Sequence, residues 1–81
     1  DEMTSEERQE MISNMVEGLA SRLASEGGTS DEWARLIKAL SVLGDSDRAQ
    51  KIWAEAINIY KDSPADQRVI NNIAKEIGIS R

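Results

Sequence analysis

Apolar residues recur at helical spacing in four stretches of this chain, separated by polar or glycine-containing segments. The second and third stretches form two apolar stripes with one break between them, at Gly44. Such a pair of stripes predicts two helices folded back on each other, with two tryptophans packed between them. The predicted core residues of this hairpin are Trp33, Leu36, Ile37, Leu40, Ala49, Trp53 and Ala56.

The first and fourth stretches predict one further helix on each side of the hairpin. Thr4 and Glu7 have the spacing of a capping box at the start of the first helix, and Gly27 ends it. Its apolar stripe, including two methionines, is expected to pack on the core, and it consists of Met11, Ile12, Met15, Val16, Leu19, Ala20 and Leu23. We expect helices at about 5–25, 31–43, 46–60 and 64–77 in a single domain covering residues 1–81.

Residues that stabilise helix starts precede each of the three later helices. Thr29 or Ser30 is expected to cap the second helix. Asp45 or Ser46 is expected to cap the third. Ser63 stands before a proline at the first position of the fourth, which predicts a serine cap there.

The composition excludes most catalytic chemistry. The chain has neither cysteine nor histidine, which rules out disulfides, thiol nucleophiles, histidine-dependent triads and the usual zinc sites. Acidic residues in the first turn, such as Glu6, Glu7 and Glu10, more often interact with the helix dipole than act as an acid/base pair. The calcium-loop pattern that begins at Asp45 lacks its required glycine and final glutamate. We therefore expect a non-enzyme without cofactor or metal.

The net charge of −5 argues against binding to nucleic acid or anionic lipid. Residues 1–32 hold nine acidic residues and two arginines, whereas the remainder holds eight basic and six acidic residues. The acidity therefore belongs to the N-terminal segment. Because the chain begins with Asp1, we expect a processed protein or an excised fragment that is soluble on its own, and any membrane anchor would lie outside it.

The hairpin resembles a degenerate tetratricopeptide (TPR) repeat. Trp33, Leu36, Ala49 and Ala56 match the signature, with Trp53 in place of its phenylalanine. The apolar spacing of residues 70–77 repeats that of 33–40 after 37 residues, so the fourth helix resembles the first helix of a second repeat and would cap the array. The predicted fold is an all-α, four-helix α-α superhelix with one TPR hairpin between an N-terminal helix and a C-terminal capping helix.

A closer resemblance covers nearly the whole chain. Residues 11–23, with the run Met-Val-Glu-Gly-Leu-Ala, and residues 33–50 resemble the C-terminal TPR region of the bacterial c-type cytochrome biogenesis family CcmI/CycH. The resemblance implies a periplasmic domain of an inner-membrane protein that holds apocytochrome c for haem attachment. The implied partners are apocytochrome c and other cytochrome c maturation proteins, and homo-oligomers are compatible with it.

The repeat pattern also implies a ligand face, formed by residues of each first helix that do not pack in the core. These positions are Asp31, Ala34, Lys38, Ser41, Arg68, Asn71 and Lys75. Three of the seven are basic, which would favour a carboxylate ligand, whereas the acidic first helix would favour a basic client. The sequence does not decide between a carboxylate ligand and a basic client.

Two alternatives belong to other classes. The chain could be an assembly module of an unrelated complex. Residues 73–81 also resemble the first helix and turn of a helix-turn-helix, with Gly78 in the turn and Ser80 opening the recognition helix. A sequence pI near 4.6 and the lack of a basic stripe disfavour DNA binding.

Overall fold

A computed structural model describes residues 4–79, and these residues form four α-helices without any strand. The helices are α1 (Ser5–Glu26), α2 (Ser30–Val42), α3 (Ser46–Ile59) and α4 (Pro64–Ile77). Each boundary lies within one residue of its predicted position. The all-α, four-helix prediction is confirmed. None of the helices in this part of the chain combines the length and apolar character needed to cross a bilayer.

Reciprocal side-chain and backbone hydrogen bonds fix the starts of α1 and α2. The Thr4 hydroxyl accepts from the backbone N–H of Glu7, whose carboxylate accepts from the N–H of Thr4. Thr29 and Glu32 form the same capping box before α2. Since each box satisfies two otherwise unpaired N–H groups, both helices begin at a defined residue.

The later caps differ from each other. Asp45 caps α3 by accepting from the backbone N–H of Arg48. Ser63 occupies the cap position of α4, but its side chain accepts no helix N–H. The predicted cap position is therefore correct, but the Ser63 hydroxyl donates to the Asp66 carboxylate at 2.7 Å and does not accept a helix N–H. A proline at the first helical position has no N–H and leaves one fewer donor to satisfy.

The core is built around α2, which packs against all three other helices. Leu36, Ile37 and Leu40 have no solvent exposure. Trp33 is 3% exposed and Trp53 9% exposed, so both indole rings lie inside. The remaining buried apolar side chains come from α1, α3, α4 and the segment after α4, and they are Val16, Leu23, Ala49, Ala56, Ile70, Ala74 and Ile79.

Polar contacts connect the four helices at the end of the molecule where α2 begins. The Tyr60 hydroxyl donates to the Gly28 carbonyl oxygen at 2.8 Å, which joins the end of α3 to the α1–α2 connection. The Asp66 carboxylate accepts hydroxyl hydrogen bonds from Ser63 and from the buried Ser30. These two bonds lower the pKa of Asp66, Ser63 having the larger effect, because they stabilise the ionised carboxylate.

The N-terminal helix is less buried than its apolar stripe predicts. Val16 and Leu23 are buried, whereas Met11 is 51% and Met15 66% exposed. The prediction that the two methionines pack in the core was therefore wrong. Among the helices of residues 4–79, α1 packs closely on α2 alone, and one partner helix covers a narrower strip than the seven apolar positions occupy.

Candidate functional site

A shallow groove runs between α2 and α4. A cavity of about 270 Å³ opens along it. Its lining combines one small residue of α2 with four residues of α4, and these residues are Ala34, Val69, Asn72, Ile73 and Glu76. The small side chain at Ala34 leaves room between the two helices. The groove therefore offers an apolar strip with an amide and a carboxylate at its edge.

The α2 half of the predicted ligand face lies beside this groove. Ala34 lines the cavity directly. Asp31, Lys38 and Ser41 are three residues before, four after and seven after Ala34, so they share its side of the helix. Asp31 and Lys38 are exposed and Ser41 is half-buried. The structure thus brings the four α2 residues together.

The α4 half of the predicted face lies on another side of its helix. The Trp53 indole Nε1–H donates to the Asn71 side-chain oxygen at 3.2 Å, which turns Asn71 toward α3. Arg68 and Lys75, three residues before and four after Asn71, share that side. The structure therefore does not place Arg68, Asn71 and Lys75 with Ala34 in the cavity.

The groove contains residues that the sequence reasoning missed. Val69, Asn72 and Glu76 each lie one position beyond a predicted residue, which corresponds to about 100° around the helix. The half-buried pair Val69 and Ile73, four residues apart, was the available signal of a second partly apolar side on α4.

A larger and more acidic groove lies between the N-terminal half of α1 and the α2–α3 hairpin. Its cavity measures about 490 Å³. It is lined by Glu6, Gln9, Glu10, Ser13, Leu40, Leu43, Asp45 and Arg48. The two leucines form its apolar part, and three carboxylates stand against one guanidinium. The groove is therefore negatively charged, like the N-terminal segment.

Two ion pairs join α1 to its neighbours. The Glu17 carboxylate accepts from both terminal nitrogens of Arg48 on α3, one of them at 3.1 Å. This hydrogen-bonded pairing lowers the pKa of Glu17 and raises the pKa of Arg48. On the other side of α1, Arg22 pairs with Glu32 of α2. The pKa of Glu32 is lowered by the Thr29 backbone N–H and then by Arg22.

The acidic side chains of residues 4–79 are dispersed or engaged in structural contacts. Within residues 4–79, no group of three or more acidic side chains is placed to hold a metal ion. The carboxylates with shifted pKa values, Glu17, Glu32 and Asp66, all have lowered values and are engaged in structural hydrogen bonds.

Comparison with known proteins identifies relatives of the chain. It is 32% identical over 78 residues to the cytochrome c-type biogenesis protein CycH of Rhizobium meliloti (strain 1021) and 31% identical over 78 residues to CycH of Bradyrhizobium diazoefficiens. The chain is related to CycH. Both alignments cover 96% of the chain but only 20% and 21% of the two CycH proteins, so it spans about a fifth of their length. No protein-family model and no solved structure matches it.

The alignments with CycH cover nearly all the described helices, since 78 of the 81 residues are matched. They support the resemblance to the CcmI/CycH family stated on residues 11–23 and 33–50. The relationship therefore extends to α4 and its groove with α2 and is not limited to the helical hairpin.

Proposed function

We propose that this chain is a protein-binding TPR-type module of a c-type cytochrome biogenesis protein, which holds apocytochrome c for haem attachment. In this proposal it acts by binding and not as an enzyme. It works in the periplasm as part of a protein anchored in the inner membrane, beside other cytochrome c maturation proteins. Nucleic acid has no part in its function.

The observation that carries the proposal is the similarity to CycH along 96% of the chain. The arrangement of the helices supports the TPR-type part. α2 and α3 form a hairpin whose two tryptophans are buried, and α4 packs against both helices, as the first helix of a following repeat would. With the helices in this arrangement, the groove between α2 and α4 is open to solvent.

The α2–α4 groove is the proposed client site. Ala34 provides space, and Val69 and Ile73 provide apolar contact for a peptide side chain. Of the three basic residues in the predicted face, only Lys38 lies on the groove side, where Asp31 and Glu76 oppose it. Together with the acidity of residues 1–32, this balance favours a client segment with basic residues over a carboxylate ligand.

Charge-reversal variants test this assignment. A lysine-rich peptide from the C-terminal region of an apocytochrome c is titrated calorimetrically into the wild type, Glu76→Lys and Lys38→Glu. We expect Glu76→Lys to weaken binding several-fold and Lys38→Glu to strengthen it, with both effects reduced by salt. Lys75→Glu is the matched control for Lys38→Glu, because it makes the same charge change on the α3 side of α4.

The outcomes separate the parts of the proposal. Equal affinities for all four proteins would refute the α2–α4 groove as the client site. Lack of binding to the wild type at millimolar peptide would refute apocytochrome binding itself, and the alternative of an assembly module in another complex would replace it. A Lys75→Glu effect as large as that of Lys38→Glu would place the ligand on the other side of α4.

A further inference from the structure

Three of the four large apolar side chains that are most exposed within residues 4–79 come from α1 and α2. Met11 is 51%, Met15 66% and Val42 68% exposed. We call these three residues the methionine patch. Isolated exposed apolar residues are common on protein surfaces, but a group on one face marks an interaction site.

Contacts at both ends of α1 fix its register on α2. Arg22 pairs with Glu32 near the connection between the two helices. At the other end, Gln9 and Ser13 line the same cavity as Leu40 and Leu43. The two helices are therefore antiparallel. A residue of α1 and a residue of α2 that lie side by side have numbers that add to about 54. Met11 and Met15 consequently lie at the level of residues 39–43, where Val42 is found.

The same contacts fix which side of α1 the methionines occupy. Glu17 points to α3, where it meets Arg48. Met15 is seven residues before Arg22, so these two residues share the side of α1 on which Arg22 reaches Glu32. Arg35 lies near that carboxylate, because its charge also contributes to the lowered pKa of Glu32, after the Thr29 N–H and Arg22.

Val42 lies on the Arg35 side of α2, because the two residues are seven positions apart. The methionine patch therefore runs along the seam between α1 and α2, on the side away from α3. Within residues 4–79, no helix covers this side of the seam. By contrast, α4 covers the corresponding seam between α2 and α3, where Asn71 meets Trp53 and Asp66 meets Ser30.

Positive charge borders the methionine patch in an otherwise acidic chain. Arg8 is three residues before Met11 and shares its side of α1, and Arg35 stands at the level of Leu19 on α2. Neither arginine forms an ion pair with another residue of the part of the chain that the structure describes. Along α1, Arg8 lies about 16 Å from the level of Arg35, which is the length of a helix of three turns.

We propose that the α1–α2 seam is a docking site for an amphipathic α-helix of a partner protein, whose apolar stripe covers the methionine patch and whose flanking carboxylates face Arg8 and Arg35. Methionine side chains adapt to differently shaped apolar partners. Three exposed side chains offer a few hundred Å² and not the roughly 800 Å² per partner of a stable dimer, which favours a single helix over a second copy of this chain. Its methionines lie on α1, which does not line the α2–α4 groove. On α2 the two sites adjoin, because Lys38 is three residues after Arg35 and four before Val42.

Two synthetic helical peptides test the proposal. Both carry leucines at i, i+3, i+4 and i+7, and they differ only in having glutamates or lysines on the flanks. Each is titrated into the protein labelled with ¹³C at its methionine methyl groups. We expect the glutamate peptide to shift the Met11 and Met15 signals and to bind at least about tenfold more tightly than the lysine peptide.

Variants complete the test. Met15→Asp and the pair Arg8→Glu with Arg35→Glu should each weaken the glutamate peptide by about tenfold or more. Ile59→Asp is the matched control, since Ile59 is 54% exposed on α3, beside Ala24 and away from the patch. Apocytochrome peptide binding should not change in Met15→Asp, which distinguishes this site from the proposed client groove.

Several results would overturn the proposal. These are the absence of methionine shifts at millimolar peptide, equal binding of the two peptides, or equal weakening by Ile59→Asp. Light scattering that shows a wild-type dimer and a Met15→Asp monomer would assign the patch to self-association instead. Circular dichroism of each variant establishes that a loss of binding is not a loss of fold, and exposed positions such as Met15 should tolerate the change.

Discussion

The hydrogen bond between Trp53 and Asn71 decides whether Asn71 serves the fold or a ligand. The indole Nε1–H of a side chain that is only 9% exposed donates to the Asn71 side-chain oxygen at 3.2 Å. Asn71→Ala leaves this N–H without its acceptor. We expect a loss of about 1 to 3 kcal/mol in the free energy of unfolding, which is the penalty for an unsatisfied buried donor.

The magnitude is measurable in a domain of 81 residues. Urea unfolding followed by tryptophan fluorescence has a slope of about 1 kcal/mol per molar for small proteins, so the midpoint should fall by about 1 to 3 M. In thermal unfolding each kcal/mol corresponds to about 4 to 8 °C. Asn72→Ala is the matched control, because Asn72 is the adjacent asparagine and lies exposed at the α2–α4 groove.

A double-mutant cycle isolates the bond itself. Trp53→Phe removes the donor and keeps an aromatic ring in the core. The cycle with Asn71→Ala should give a coupling energy of about 0.5 to 1.5 kcal/mol, the usual net value of a hydrogen bond. A coupling near zero, or equal costs for Asn71→Ala and Asn72→Ala, would refute the structural role of Asn71 and return it to the candidate ligand face.

Three further predictions concern stability. Leu36→Ala should lower the free energy of unfolding by about 2 to 5 kcal/mol, measured by urea unfolding, because Leu36 is fully buried and the substitution leaves a cavity in the core. A smaller loss would mean that the surrounding side chains collapse into that cavity. The pKa of Asp66 is lowered from its ordinary value of 3.8, so the stability that the ionised carboxylate contributes is complete above that value and is lost as pH falls through the lowered folded-state pKa. Wild-type stability should therefore drop more steeply below about pH 4 than that of Asp66→Asn, and parallel curves of stability against pH would contradict the assignment. Gly28→Ala should destabilise the fold, because a Cβ there would come within 2.6 Å of Leu23 Cδ2. Gly18→Ala should stabilise it by about 1 kcal/mol, because Gly18 lies inside α1 with open space around it. Thermal melts that rank the two variants in the opposite order would contradict this account.

The helices could be predicted from sequence because local and tertiary preferences agree there. The apolar stripe of α2, from Trp33 to Leu40, has helical periodicity, and the side chains of this stripe are buried in the structure. The α2 cap was left open between Thr29 and Ser30, although Glu32 stands three residues after Thr29, as in a capping box, whereas Trp33 stands three after Ser30. What the sequence could not show is the role of Ser30, whose hydroxyl donates to Asp66, 36 residues further along the chain.

The rotation of helices about their axes was harder to predict than their positions. Periodicity shows that α1 has an apolar face but not how many helices cover it, so Met11 and Met15 could not be separated from Val16. Likewise, the repeat alignment placed Asn71 in the ligand face without knowing that Trp53 would engage it. In both cases the missing information was a contact distant in sequence.

The dependence of α1 on a single neighbouring helix gives the molecule two levels of stability. α2, α3 and α4 pack against one another, whereas α1 packs closely on α2 alone and meets α3 only through side chains, such as the Glu17–Arg48 pair. Separation of α1 by rotation at Gly27, whose φ of 79° suits glycine, would leave the other three helices in contact. Amide protons of α1 would then exchange with solvent through this partial opening, while those of α2 would exchange only when the whole domain unfolds.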